Sequence, residues 1–106
     1  MIHSPDWITA KITIGADDDL SSAVDLGKPY ESMEILIPTI DSANLTCYVS
    51  EELDGTYFAR GNGVTVAAGT GAFSDTWDIG AHQYIKIGTS ASQTVDRVFR
   101  VRGVRS

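Results

Sequence analysis

Apolar and polar side chains alternate along much of the chain, and this period of two constrains the fold more than any other feature. In the clearest segment, residues 7–14, the side chains of Ile8, Ala10, Ile12 and Ile14 share one face, and mostly polar residues occupy the other. A half-buried strand has this period because successive side chains point to opposite sides of a sheet. No window keeps a helical period over three turns. The pattern therefore predicts an all-β chain.

The same alternation recurs in short segments separated by Gly, Asp and Ser clusters. Asp54-Gly55 predicts a hairpin turn, because glycine adopts positive φ without steric cost. Pro38 has no amide hydrogen and is predicted to end a strand. About eight short strands at this spacing are typical of an antiparallel β-sandwich, of jelly-roll or immunoglobulin-like topology. The predicted strands are residues 7–14, 20–26, 33–37, 45–50, 56–60, one short strand within 61–80, 83–87 and 95–104.

Length and cysteine content favour one soluble domain. A chain of 106 residues, 42% of them hydrophobic, matches a single module, which we assign to residues 1–106 with its core in residues 7–104. Cys47 is the only cysteine, so no internal disulfide can form. No apolar run approaches the roughly 20 residues that span a bilayer, and the first residues lack a signal-peptide pattern. We expect a protein made in the cytoplasm without a membrane anchor.

The charge of the chain is unevenly distributed. Residues 1–54 carry a net charge of −9 and residues 55–106 one of +3, within a total of −6. The simpler interpretation is that the two halves pair within one fold. The alternative is that an acidic surface of one subunit meets a basic strand of its neighbour, since complementary potentials orient partners. The acidic total argues against nucleic-acid binding. Four basic residues fall in the last ten positions, at Arg97, Arg100, Arg102 and Arg105.

Side chains that could carry catalysis or hold a metal are sparse. Histidine occurs only at His3 and His82, so the sequence indicates neither a catalytic triad nor a metal set. Cys47 lies on the predicted inward face of a strand, where a thiol acts as a small apolar side chain. Residues 17–19, three consecutive aspartates, lack the alternate acids, central glycine and distal glutamate of a calcium loop. We therefore expect no enzymatic activity, no cofactor and no metal.

Five aromatic residues lie in or beside predicted strands, at Trp7, Tyr48, Tyr57, Trp77 and Tyr84. Trp7 and Tyr48 fall opposite the aliphatic faces of their strands, which predicts that they are exposed. One interpretation is that these rings lie at a subunit contact or in the core, because Tyr and Trp are frequent at interfaces. The other is that exposed rings stack on sugars in a glycan-binding module.

Several strand and turn motifs, which together cover residues 14–100, resemble those of small virion proteins of tailed bacteriophages. The motifs combine an Ala-Val-Asp-Leu-Gly segment, an apolar strand ending in proline, an Asp-Gly-x-Tyr turn and a Tyr-Ile-Lys-Ile strand. In the phage proteins, the strand that matches residues 45–50 usually has Phe at the position of Cys47. The turn that follows it is usually short, and residues 51–53 lengthen it here. The segments are residues 14–16, 22–27, 33–38, 45–50, 54–57, 83–87 and 89–93.

The resemblance implies a non-enzymatic virion structural protein, a capsid decoration (cement) or head-spike subunit that binds neighbours on the particle. Such subunits commonly form trimers, and their partners are the major capsid protein or neck and tail proteins. A tail or baseplate component and a glycan-binding β-sandwich module are the alternatives. The sign reversal of charge predicts the contact residues. We expect the interface residues to be Arg97, Arg100, Arg102 and Arg105, with Tyr48 and Trp77. The arginines are expected to pair with carboxylates such as Glu51, Glu52 or Asp54 of a neighbour.

Overall fold

The computed structural model describes residues 6–61 and 65–104, and all regular structure in those residues is β. All strand pairings are antiparallel, which confirms the prediction of an all-β antiparallel fold. In this part of the chain we find no helix long and apolar enough to cross a membrane. The strands are β1 (Ile8–Ile12), β2 (Val24–Ser50), β3 (Phe58–Ala59), β4 (Val66–Thr89) and β5 (Arg97–Val104).

The described residues form five strands rather than the eight or so predicted, because two long strands bend without ending. β2 joins most of three predicted strands, and β4 joins the short strand of residues 61–80 to residues 83–87. The β2–β4 ladder shifts register at residues 25–32 and again at residues 39–45. Such bulges bend a strand while its pairing continues, so the turn-like residues at these points mark bends instead of strand ends.

The prediction that Pro38 ends a strand is also wrong, because β2 continues through this residue. Its neighbours Ile37 and Thr39 remain paired with β4, whereas the ladder between β2 and β5 ends at Leu36. From Ile37 to Ala43, β2 is paired with β4 alone among the described residues. A proline is tolerated on such an edge because no partner there needs its missing amide hydrogen.

The bends curl the sheet into a half-barrel. The first residues of β2 and its last residues both pair with the end of β4, so Ile85 lies between Val24 and Val49. The middle of β2 pairs with β4 on one side and with β5 on the other, and β1 extends that side of the sheet. The eight-strand sandwich is therefore not confirmed, and the observed form is one antiparallel sheet curled on itself.

The inner face of the curled sheet holds one cluster of buried apolar side chains. The faces predicted to point inward on residues 45–49, 85–87 and 99–101 all do so. Leu45, Ile85 and Phe99 have no exposed surface. Alternation therefore identified the core correctly, even where the predicted strand ends were wrong.

The curl brings distant parts of the sheet together along two lines, which we call the closed seam and the open seam. At the closed seam, Ser22 N–H donates to the Lys11 carbonyl at 2.8 Å, and Lys11 N–H donates to Ser22 Oγ at 3.2 Å. Asp96 lies at the same seam, where it accepts a hydrogen bond from Ile14 N–H at 3.0 Å and pairs with the Lys11 ammonium at 3.3 Å.

At the open seam, residues 71–79 of β4 pair with β2 alone among the described residues. The side chain of Arg60, which follows β3, reaches across to β4, and its Nη2 lies 3.4 Å from Asp78 Oδ1. Arg60 N–H donates to the Cys47 carbonyl at 2.9 Å, which anchors this residue to β2. The Arg60–Asp78 ion pair therefore joins the two sides of the open seam, where no backbone pairing joins them among the described residues.

Candidate functional site

Arg102, one of the predicted contact residues, is held by partners within the chain. Its Nε and Nη2 lie 2.9 and 2.8 Å from Glu34 Oε1 on the neighbouring strand. Its guanidinium also lies over the ring of Trp7, 4.2 Å from the ring centroid, in a cation–π arrangement. Arg102 thus joins two strands and covers Trp7, so neither side chain is freely available to a neighbour.

Arg97 is also engaged inside the chain. Its Nη2 lies 3.3 Å from Asp41 Oδ1, and its Nε donates to Gln93 Oε1 at 3.1 Å. Asp41 accepts further hydrogen bonds from the hydroxyl and the N–H of Thr94, both at 2.8 Å. These two bonds, and then Arg97, lower the pKa of Asp41 below its ordinary value. Arg97 therefore belongs to a network that holds residues 93–97 against β2.

The pairing of these arginines decides between the two interpretations of the uneven charge. Three of the four ion pairs among the described residues join the acidic half of the chain to the basic half. This confirms the simpler interpretation for Arg97 and Arg102. Arg105 lies outside the described residues.

Arg100 differs from both neighbouring arginines because it is exposed and forms no ion pair within residues 6–61 and 65–104. It points outward from the sheet, between Thr9 of β1 and Leu36 of β2. Leu36 is 39% exposed, and Val98, on the same face of β5, is 42% exposed. We call this outer surface, formed by Thr9, Lys11, Leu36, Val98 and Arg100, the Arg100 face. It combines positive charge with exposed apolar side chains.

The predicted acidic contact residues lie together in the turn between β2 and β3. We call residues 51–55 the acidic turn, because Glu51, Glu52 and Asp54 are exposed there. Leu53 between them is 41% exposed, and Phe58 just beyond is 66% exposed. The acidic turn thus presents carboxylates around apolar side chains, the complement of the Arg100 face.

Hydrogen bonds hold the acidic turn in one shape. Ser50 Oγ donates to the Glu52 carbonyl at 2.8 Å, and the Tyr57 hydroxyl donates to the Leu53 carbonyl at 2.7 Å. The predicted hairpin is confirmed, but not through positive φ at Gly55. A Cβ at Gly55 would lie 2.8 Å from Ser50 Oγ, so the close approach of the chain requires glycine there.

The two aromatic contact candidates have different surroundings. Tyr48 is half-buried, and its ring packs on Gly88 so closely that a Cβ there would lie 2.5 Å from the ring. Trp77 is only 7% exposed and belongs to the core cluster. Trp77 is therefore a core residue rather than a surface contact, because it shares the inward face of β4 with Ile79.

The groups considered for catalysis are not brought together. Burial raises the pKa of the Cys47 thiol to about 12, so the nucleophilic thiolate is disfavoured. His82 lies in β4 opposite Tyr30, whereas His3 lies outside the described residues. Residues 17–19 form a loop, and the described residues contain no group of three His, Cys, Asp or Glu side chains placed to hold a metal.

Sequence reasoning missed a cavity of about 260 Å³ beneath the open seam. Three charged residues that the sequence pattern had not singled out, Arg60, Asp75 and Asp78, lie in its wall. The available signal was the run Phe73, Asp75, Trp77 and Ile79, in which a carboxylate occupies an otherwise apolar alternate position. The cavity is lined by Leu45, Cys47, Arg60, Val66, Asp75, Thr76, Trp77 and Asp78.

Comparisons of the chain with protein-family models, curated protein sequences and solved structures find no match. The resemblance to phage virion proteins therefore stays a prediction from strand and turn motifs. A functional proposal depends on those motifs and on the Arg100 face, the acidic turn and the cavity.

Proposed function

We propose that this chain is a non-enzymatic structural subunit of a tailed-phage virion, a capsid decoration (cement) or head-spike protein. The observation that carries the proposal is the complementarity between the Arg100 face and the acidic turn. One surface has exposed Leu36 and Val98 beside an arginine, and the other has exposed Leu53 among three carboxylates. In an assembly of copies, the Arg100 face of each copy can bind the acidic turn of one neighbour, and its acidic turn can bind the Arg100 face of another.

The proposed contact joins the Arg100 face of one copy to the acidic turn of the next. It is heterologous, because these two surfaces are different and lie in different parts of the curled sheet. Heterologous contacts generate a ring when the rotation between copies closes, and an open filament when it does not. A closed ring suits a subunit that sits on a symmetric shell. We propose a trimer, with Leu53 of one copy packed on Leu36 and Val98 of the next and its flanking carboxylates around Arg100.

The finer fold is part of the same proposal. A long β2–β4 ribbon that bends twice and folds over one core supports the jelly-roll form of the β-sandwich over the immunoglobulin-like form. Such a rolled ribbon is stiff, because each bend remains within a hydrogen-bonded ladder. A stiff module holds its two contact surfaces at a set angle, which a closing ring requires.

Trp7, Tyr48 and Trp77 give little support to the glycan-binding alternative. Stacking of a sugar needs an exposed aromatic ring, and Trp77 is buried while the Tyr48 ring packs on Gly88. Trp7 is already covered by Arg102. The tail or baseplate alternative uses the same contact surfaces and differs only in the particle site.

Two complementary variants test the heterologous contact. Arg100→Glu reverses the charge of the Arg100 face and leaves the acidic turn intact, whereas Glu51→Lys combined with Glu52→Lys does the opposite. We expect the wild type to form a closed oligomer by light scattering and each variant alone to be a monomer. An equimolar mixture should regain larger species, because an intact face and an intact turn remain between the two variants and the two reversed surfaces complement each other in charge.

The control is Lys28→Glu, which makes the same charge change at an exposed residue that belongs to neither surface. It should leave the oligomer unchanged. A wild type that stays monomeric, or an Arg100→Glu variant with the mass of the wild type, would contradict the proposed contact.

The virion assignment is tested separately, by sedimentation with empty capsids of the phage that encodes the chain. We expect the wild type to pellet with the capsids and Lys28→Glu to do the same. A closed oligomer that ignores capsids would leave the contact standing and reject the head assignment in favour of the tail or baseplate.

A further inference from the structure

Asp75 breaks the pattern of the strand that carries it. Directly opposite, on β2, is Ile35, which has no exposed surface, and the next inward positions of β4 are Trp77 and Ile79. A carboxylate on the inward face of a sheet is costly to desolvate, and exceptions to apolar patterning concentrate at functional sites. The place of Asp75 in the fold therefore calls for a functional explanation.

The cavity beside Asp75 has the composition of a small-molecule site. Leu45, Val66 and the indole of Trp77 supply apolar walls, and Asp75 is the inward carboxylate among them. Binding pockets for small molecules are mostly apolar with a few polar groups that set orientation, and typically measure about 300–1,000 Å³. At about 260 Å³, this cavity suits a ligand of one ring or a short branched chain.

The Asp75 carboxylate retains capacity for a further partner. Oδ1 accepts a hydrogen bond from Thr76 N–H at 2.9 Å, and Oδ2 accepts one from Trp77 Nε1–H at 3.0 Å. An ionised carboxylate has about four lone-pair sites, so acceptor positions remain. Among the described residues no cationic side chain forms an ion pair with Asp75. Asp75 therefore has no cationic partner at ion-pair distance among these residues.

We propose that the cavity under the open seam binds a small organic ammonium ion, with the cationic nitrogen at Asp75 and the apolar part against Leu45, Val66 and Trp77. The ammonium group would neutralise the half-buried carboxylate and donate to its free lone pairs. Organic cations also favour aromatic surfaces, and the indole is the best of these. The site shares no residue with the Arg100 face or the acidic turn, so it is independent of the assembly contact.

Two carboxylates, Asp75 and Asp78, share the cavity wall with one cationic residue, Arg60. Its Nη2 pairs with Asp78 Oδ1, and Asp78 is largely exposed. The Arg60–Asp78 pair also lies across the open seam, so the ligand enters the cavity beside this ion pair. A carboxylate ligand is disfavoured, because Asp75 would repel it inside the cavity.

The test titrates the wild type with benzylammonium and, separately, with its neutral counterpart benzyl alcohol. The indole N–H resonance of Trp77 reports the site directly, since that proton lies on the hydrogen bond to Asp75. Trp7 supplies an internal control from outside the cavity. We expect a saturable shift of the Trp77 resonance, an unmoved Trp7 resonance, and affinity for the ammonium ion about tenfold or more above that for the alcohol.

Asp75→Asn keeps an amide oxygen that can accept from Trp77 Nε1–H but removes the charge. It should abolish the preference for the ammonium ion and retain weak binding of the alcohol. Asp54→Asn, the same charge change on the acidic turn, should leave both affinities unchanged. If Asp75→Asn does not fold, Val66→Phe, which fills the cavity, should abolish binding of both compounds.

Three results would overturn the proposal. One is the absence of a saturable shift at Trp77 with benzylammonium up to about 10 mM, about ten times a dissociation constant of about 1 mM. Another is equal affinity of the wild type for the ammonium ion and the alcohol. The last is undiminished ammonium binding in Asp75→Asn or, where that variant does not fold, in Val66→Phe.

Discussion

The closed seam and the open seam join the arms of one curled sheet by different forces. At the closed seam, backbone groups of Lys11 meet Ser22 at hydrogen-bonding distance, and buried Ile12 lies directly behind. At the open seam, one ion pair between the side chains of Arg60 and Asp78 takes the place of a ladder, with a cavity beneath it. The same core is tightly packed at one seam and incompletely filled at the other.

The difference shows how edge pairing controls packing. Backbone hydrogen bonds hold neighbouring strands about 4.8 Å apart, and at that spacing inward side chains interdigitate without voids. Long charged side chains can bridge a wider and less regular gap, so the side chains behind them need not fill the space. A polar inward residue such as Asp75 is tolerated at the open seam because the cavity remains accessible there.

The largest expected effect is at the closed seam. Ile12→Ala removes a side chain with no exposed surface and leaves a hole that backbone pairing prevents from closing. We expect a loss of about 2–5 kcal/mol in the free energy of unfolding, measured by urea denaturation. The control Val95→Ala, at an exposed residue just before β5 that belongs to neither contact surface, should change stability by less than about 0.5 kcal/mol. Equal losses in both variants would refute the tight packing assigned to this seam.

An added methylene group should have opposite effects in the two environments. Val66→Ile extends a side chain that lines the cavity, and filling that space should stabilise the fold by about 0.5–1 kcal/mol. Val24→Ile adds the same group at a fully packed inward position of β2, where overpacking should cost about 1–3 kcal/mol. Urea denaturation of both variants beside the wild type gives the two signs. A loss of stability in Val66→Ile would mean that the cavity is closed when the protein is in solution.

The smallest effect concerns the pH dependence of the closed seam. The backbone N–H of Ile14, and then the Lys11 ammonium, lower the pKa of Asp96 below its ordinary value of 3.8. The folded state therefore binds this proton less tightly than the unfolded state does. The resulting stabilisation is present above pH 3.8 and is lost as the pH falls through the lower, folded-state pKa.

Thermal unfolding from about pH 6 to about pH 2 checks this sign. Asp96→Asn should be less stable than the wild type at the upper end, and the difference should shrink as the pH falls. Glu31→Gln is the control, since Glu31 is exposed, belongs to neither contact surface and forms no hydrogen bond or ion pair through its side chain among the described residues. A stability difference for Asp96→Asn that does not vary with pH would contradict the role given to the charge.

The charged contact residues show how far a sequence pattern extends into a site. The pattern placed positive charge on β5 and negative charge in the acidic turn, and both placements are correct for the described residues. It could not separate Arg100 from Arg102, because Glu34, the partner of Arg102, is 68 residues away in the chain. Only the register between β2 and β5 brings that carboxylate to one arginine and an apolar leucine to the other.

Local alternation was sufficient to predict an all-β chain and most of its buried faces, because the period of two is a property of each short segment. It placed the core on Leu45, Ile85 and Phe99 before any pairing was known. It also contained the information that Trp77 shares a face with Ile79, which the interpretation of Trp77 as a surface ring overlooked.

Tertiary structure alone decided where β2 and β4 bend and which edges meet. Those outcomes depend on contacts between residues far apart in the chain, such as Val49 and Ile85, and a local pattern carries no record of them. The described part of the sheet therefore has five strands of very unequal length instead of the eight or so short strands predicted. The cavity at the open seam follows from the same cause, since it exists only where the curl brings β4 near β3 without pairing the two strands.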